Sequence, residues 1–262
     1  MRTIFAMGGG GFTMEPENPA LDEFILGLAQ RREPKVLHLP TAGGDQEAQI
    51  AAFYACFGDR PCEPAHLSLF RLGGTGPVHL RDLVLSQDIV YVGGGSMRLM
   101  LAIWREYGLD QILREAWERG VVLAGLSAGA MCWFSHGVTK STGVPEPVDG
   151  LGFLPASLTV HADGEPERLP VYCEAVRTGA VVPGYAADDG CGLLFRGTSF
   201  ERAVSSRPNA RAWKVEPSAD GSEVVRTPLL PTFLPHAGRT ERPTPPDVLE
   251  FRQAHRMRLG RS

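Results

Sequence analysis

The stretch from Val121 to Met131, Val-Val-Leu-Ala-Gly-Leu-Ser-Ala-Gly-Ala-Met, constrains this chain more than any other. Its apolar, partly β-branched run from Val121 to Ala124 predicts a buried strand. Gly125-Leu126-Ser127-Ala128-Gly129 follows at once, and the apolar segment Ala130 to Phe134 then predicts a helix. The result is strand, sharp turn and helix, with a serine at the apex. Small residues two before and two after Ser127 let strand and helix approach closely, while the hydroxyl points out of the sheet from a strained turn. The helix start would also bring backbone N–H groups, beginning with that of Ala128, near an oxyanion formed at the serine. A tightly packed turn without chemistry can show the same pentapeptide, so the surrounding residues have to decide.

Those surroundings alternate strand and helix. Thr3 to Met7 predicts a strand that runs into Gly8-Gly9-Gly10-Gly11. Lys35 to Leu39 predicts one ended by Pro40, Ala65 to Leu69 another, and Asp88 to Val92 one that enters Gly93-Gly94-Gly95-Ser96. Helical spacing marks Asn18 to Ala29, Glu47 to Phe57, Val78 to Leu85, a segment with Met97, Met100, Leu101 and Trp104 on one face, and Ile112 to Arg119. This order implies an α/β fold: a mostly parallel sheet with helices on both faces and the functional loops at the C-terminal ends of the strands. Both glycine loops and the Ser127 turn would share that edge. The run Gly8 to Gly11 has neither the G-x-G-x-x-G spacing of a dinucleotide site nor the Lys-Ser/Thr of a P-loop. The second half is less regular. A helix is expected from Pro170 to Thr178, Val181 to Ala187 leads into Asp188-Asp189-Gly190, a strand spans Cys191 to Phe195, and Ala210 to Val215 with Glu223 to Arg226 closes a β-rich section. No linker divides the chain, so residues 1–238 are expected to form one catalytic domain. Residues 239–262 read as a loosely held tail in which Val248 to Leu259 can form a helix.

A formal charge of −4 spread over 262 residues, with no basic tract, argues against nucleic acid or an anionic membrane as partner. The N-terminus lacks a signal-like apolar region, and no apolar run approaches the ~20 residues needed to span a bilayer, so a cytoplasmic protein is expected. Five cysteines without a C-x-x-C pair argue against a disulfide framework and a zinc site. No metal or cofactor is called for. Cys132 lies five residues past Ser127 and is misplaced as a nucleophile.

A serine attacks at neutral pH only when a base takes its proton and a third group orients the base. Of the histidines after Ser127, His136 follows the nucleophile's own helix, and His236 and His255 sit in the Pro/Arg-rich end. His161, in a loop after an apolar segment, is the best-placed base. For the acid, Asp188 and Asp189 lie between apolar segments, where a carboxylate is costly to bury without purpose. Asp149, Asp163, Glu165 and Glu167 are rivals. The order Ser, His, Asp differs from the Ser, Asp, His of an α/β-hydrolase.

Gly93 to Ser96 after an apolar strand, Gly125 to Ala130, Gly150-Leu-Gly-Phe-Leu-Pro155 before His161, Asp163-Gly-Glu165 with Arg168, and Gly184 to Gly190 together resemble the peptidase E (S51 serine peptidase) family, to which cyanophycinase is related. The likeness runs to about Pro231. It implies a fold similar to class I glutamine amidotransferases, with Ser127 as nucleophile where those enzymes carry cysteine, and His161 as base. The family's acid lies either shortly after the serine or in the later segment. Lys140 to Gly143 offers no carboxylate, so Asp189 is expected in that role with Asp188 in reserve near the substrate. The resemblance also implies an oxyanion hole from the Gly94 or Gly95 amide with that of Ala128, and contact with an acidic substrate side chain through Arg168. Ser96 stands where relatives often have asparagine, and Ala162 where an aromatic often follows the histidine. The expected activity is that of a cofactor-free serine exopeptidase on short peptides, including dipeptides with N-terminal aspartate. A cyanophycinase-like or carboxy-end exopeptidase, or a non-catalytic amidotransferase-like module, is the alternative. Its partner would be a small peptide, with a homodimer left open.

Overall fold

The computed structural model describes residues 1–70 and 79–235. The expected tail, with His236, His255 and the helix at Val248 to Leu259, lies outside these residues, as does Val78 at the start of its helix.

The first half runs β1 (Thr3–Met7), α1 (Gly11–Met14), α2 (Ala20–Leu26), β2 (Lys35–Leu39), α3 (Glu47–Phe57), β3 (Glu63–His66), α4 (Leu80–Leu85), β4 (Ile89–Val92), α5 (Met97–Glu106), α6 (Leu109–Glu118) and β5 (Val122–Leu126). Its strands lie side by side as β1-β5-β4-β2-β3, all parallel. Side chains alternate across each strand. Ile4, Ala6, Val90, Val92 and Leu123 pack with Met97, Met100, Trp104, Leu113 and Trp117 of α5 and α6. Phe5, Met7, Ile89, Tyr91, Val122 and Ala124 pack instead with Phe12, Leu21, Ile25, Phe53 and Phe57 of α1, α2 and α3. Helices therefore cover both faces, which is why these strands read as unbroken apolar runs. β3 begins two residues before the expected Ala65, because Pro64 is tolerated at the sheet's edge.

The second half departs from the expected pattern. After α7 (Ala128–Met131) come β6 (Phe134–Thr139), β7 (Glu146–Asp149), β8 (Leu154–Thr159), α8 (Arg168–Arg177), β9 (Gly184–Ala187), β10 (Cys191–Arg196), β11 (Ser199–Ser205), β12 (Ala212–Pro217), β13 (Val224–Leu229) and β14 (Thr232–Phe233). The helix expected to run to Phe134 stops after one turn. The carbonyls of Cys132, Trp133 and Phe134 accept from the N–H groups of Leu151, Phe153, Leu154 and Gly152, so they are not free for further helical bonds. β10, β11 and β14 extend the first sheet beyond β1, with β1-β10 and β10-β11 antiparallel. The other strands make a second sheet, β13-β12-β9-β8-β6-β7, in which β6, β8 and β9 are parallel. Leu154, Leu158, Ala187 and Ala212 from this sheet, with Val160 just past the end of β8, join the apolar cluster of the first. Among the described residues no helix is long and apolar enough to cross a membrane.

Candidate active site

In the parallel ladder Met7 pairs with Leu126, and Val92 with Gly125. Gly8, Gly93 and Ser127 therefore leave neighbouring strands at one edge. Ser127 has φ 54° and ψ −119°, a conformation costly for a side-chain-bearing residue, and its N–H still donates to Met7 O at 3.1 Å. The flanking glycines explain how the turn closes. A Cβ on Gly125 would stand 2.2 Å from Gly129 O, and one on Gly129 2.4 Å from Val92 O. Strand, turn and helix can approach this closely only without side chains at both positions.

The second sheet delivers His161 and Asp189, the expected base and acid. β8 and β9 are parallel neighbours with Thr159 opposite Ala186, so the residues just past their ends emerge together. His161 Nε2 lies 2.9 Å from Ser127 Oγ, and His161 Nδ1 lies 2.5 Å from Asp189 Oδ1. His161 too has positive φ, 53°; among the described residues the other non-glycine cases are Ser127 and Asp45. The Asp189 carboxylate is boxed in by main chain. A Cβ on Gly9 would come within 2.0 Å of its Oδ1, and one on Gly164 within 3.0 Å of its Oδ2, while Asp163 Oδ1 accepts from the Asp189 N–H at 2.8 Å. Gly190, immediately after, donates to Gly9 O. Within the glycine run at 8–11 it is Gly9 that makes room for the Asp189 carboxylate.

Asp188 faces the other way and does not line the substrate cleft, contrary to its expected part in substrate binding. Its Oδ2 accepts from the Arg211 N–H at 2.9 Å, and burial pushes its carboxyl up to about 6. His136 lies on β6, with Nε2 3.8 Å from Asp149 Oδ1, far from any part in the Ser127 arrangement. Buried Cys132 donates its thiol to Gly129 O, and desolvation holds that thiol well above the ordinary range, which suits packing and not attack.

A cleft of about 360 Å³ opens beside Ser127 and His161, walled by Gly95, Ser96, Met131, Lys140, Glu165 and Arg168 among others. Gly94 passes so close that a Cβ there would be 3.3 Å from Ser127 Cβ. Gln49 on α3 donates to Gly94 O at 3.3 Å. A trans peptide points its C=O and N–H in opposite directions, so this bond turns the Gly95 N–H away from Gln49. Among the described residues no protein group accepts from the N–H of Gly94, Gly95 or Ala128. Ser96 caps α5, its Oγ accepting from Leu99 N, and also lines the cleft. Arg168 is in the wall, but Glu165 Oε2 already takes its Nε at 3.1 Å and its Nη2 at 2.8 Å. Gln49 and the wall formed by Thr139 to Ser141 were missed in the sequence. The wall lies at the end of β6, whose Ser-His-Gly stretch after Phe134 gives no strand pattern, and nothing local marks Gln49 on the largely apolar α3. Among the described residues no cluster of three or more His, Cys, Asp or Glu side chains is gathered as a metal site requires.

The pattern of peptidase family S51 matches residues 4–203. Over 234 residues, 89% of this chain and 100% of the relative, the sequence is 45% identical to a protein described as "Uncharacterized peptidase YgaJ" from Bacillus subtilis (strain 168). The fold is similar to the crystal structure of a peptidase from an acI-B1 Actinobacterium, with TM-score 0.66, 19% identity and coverage of 88% of this chain and 94% of that one. A putative peptidase E protein from Listeria monocytogenes EGD-e is also similar, with TM-score 0.56, 18% identity and coverage of 78% and 98%. At such identities the structural likeness speaks for the fold alone. The family pattern across most of the chain and the full-length relative together mean that the chain belongs to peptidase family S51.

Proposed function

We propose that this protein is a serine exopeptidase that hydrolyses short peptides through an acyl-enzyme on Ser127. The observation that carries the reading is the unbroken relay from Ser127 Oγ through both ring nitrogens of His161 to Asp189 Oδ1, at 2.9 Å and 2.5 Å. His161 Nε2 takes the hydroxyl proton as Oγ attacks the peptide carbonyl, while Asp189 holds Nδ1–H and stabilises the imidazolium that forms. The unpaired N–H groups of Gly95 and Ala128 are the expected donors to the tetrahedral oxyanion, with Gln49 fixing the first of them. The imidazolium then gives its proton to the leaving amine. Water, deprotonated by the same ring, releases the acyl group. A cleft near 360 Å³ is at the small end for ligand sites and suits one or two residues of substrate.

Serine at 127 and a buried thiol at Cys132 weigh against a glutamine amidotransferase-like role. Selectivity for N-terminal aspartate would need a guanidinium open to the cleft, and Arg168 in its wall already gives Nε and Nη2 to Glu165. The decisive experiment is Ser127→Ala, which removes only the attacking oxygen. Peptide turnover should fall by about three or more orders of magnitude with Tm unchanged. A variant that keeps more than a few percent of wild-type activity would place the nucleophile elsewhere.

A further inference from the structure

We propose that Glu165 is the charged group this cleft presents to its substrate, and that it takes the α-ammonium of the amino-terminal residue, so that the enzyme works from the amino end without selecting acidic residues there. The inference rests on the serine peptidase reading of the same site and adds to it the end of the peptide that is recognised.

The positive φ of His161 turns the chain sharply, and the Glu165 N–H closes that turn onto His161 O at 2.8 Å. The carboxylate of Glu165 is thereby fixed one turn after the base, in the wall of the cleft that holds Ser127. Arg168 lies behind it. Both its Nε and its Nη2 are taken by Glu165 Oε2, its side chain is 5% exposed against 29% for Glu165, and its Nη1 is buried with no hydrogen-bond partner. A substrate approaching from the cleft therefore meets the carboxylate before the guanidinium. Among the described residues no hydrogen bond or ion pair reaches Glu165 Oε1, which leaves one acceptor open beside the base. The other cation of this wall, Lys140, is bound through Nζ to Glu167 and is compensated in the same way. An ammonium against Oε1 completes an alternation of charge, Arg168, Glu165, substrate; an aspartate side chain in that place would face a like charge. Pairing with Arg168 also fixes the carboxylate in advance, so little side-chain freedom is lost on binding.

The test compares Ala-Leu, Asp-Leu and Lys-Leu, each with a free amino terminus and each N-acetylated, on wild type and Glu165→Gln, with released leucine measured. The wild type should cleave free Ala-Leu at least about tenfold better in kcat/KM than its acetylated form, and Asp-Leu no better than Ala-Leu. Glu165→Gln keeps an oxygen acceptor for Arg168 and loses the charge. It should raise KM for all three free dipeptides about tenfold or more, change kcat by only a few fold, and leave the acetylated forms unaffected. Equal turnover of free and acetylated wild-type substrates, a tenfold preference for Asp-Leu, or an effect of Glu165→Gln confined to Lys-Leu would each overturn the proposal. Should Glu165→Gln not fold, the wild-type comparison decides alone. Labelling of Ser127 by an organophosphorus fluoridate, read by mass spectrometry, separates the two levels. Labelling without amino-end discrimination sinks only this inference, whereas absence of labelling together with an active Ser127→Ala sinks the serine reading itself.

Discussion

Asp188 and Asp189 are neighbours in the chain with opposite surroundings. Asp189 Oδ1 sits on His161 Nδ1, whereas Asp188 is held by the Arg211 N–H and raised to about 6 by burial. Successive residues leaving a strand point to opposite sides, so only one of them can reach the ring. Asp189→Asn should lower kcat by about 10⁴, because an amide neither stabilises the imidazolium nor holds its tautomer, while Asp188→Asn should cost only a few fold. Steady-state kinetics on the two purified variants check this, and a crippled Asp188→Asn would reverse the assignment. Which aspartate faces the ring was open in the sequence. Arg168 shows the same limit: its position near the site was legible, but its pairing with Glu165 was not, because a side chain's partner depends on how the loop after His161 turns.

At the scale of elements, the turn at Ser127 was legible because its requirements are local: two residues without Cβ and an apolar strand before them. The glycine run after β1 was visible too, though its use was not. Gly9 is needed for space and not for an unusual φ, since its added Cβ would strike Asp189 Oδ1 at 2.0 Å. Gly9→Ala should therefore push the carboxylate off His161 and lower kcat by about 100-fold or more, with a smaller effect on KM. Circular dichroism and Tm on the same sample separate this from unfolding. A variant with normal kcat would show that the acid tolerates displacement. The strands of the second sheet were largely unmarked. β6, β7 and β8 carry Ser, His, Gly, Pro, Glu and Asp among their apolar residues and are half-covered, so they lack the unbroken runs of the first sheet.

At the scale of the whole molecule, the double covering of the first sheet buries a carboxylate, Asp22, that lies outside the candidate site. Asp22 on α2 is fully buried beneath β4. Its Oδ1 accepts from Tyr91 Oη at 3.2 Å, and desolvation raises it from 3.8 to about 7 against the lowering effect of that bond. A raised carboxyl keeps its proton longer in the folded chain than in the unfolded one. Its cost to stability is therefore absent below pH 4, grows as pH rises through the interval from about 4 to 7, and is complete above it, on the order of 4 kcal/mol. His38, lowered to about 4 by burial, acts in the other direction and loses stability as pH falls below the ordinary histidine range. Asp22→Asn isolates the first effect: its Tm advantage over wild type should be small at pH 5 and larger at pH 8. An advantage independent of pH would mean that Asp22 does not titrate with folding.

The sequence alone determined the parallel core, its cover of helices on both faces, the serine turn, and the shared edge where Gly8, Gly93 and Ser127 emerge. Each follows from short-range pattern: apolar runs set strands, 3.6-residue spacing sets helices, and glycines mark where main chains touch. Tertiary structure alone decided that α7 ends after one turn, and that a second sheet brings His161 and Asp189 together through the register of β8 with β9. It also decided that Arg168 pairs with Glu165. These depend on hydrogen bonds and ion pairs between segments whose meeting no local spacing encodes.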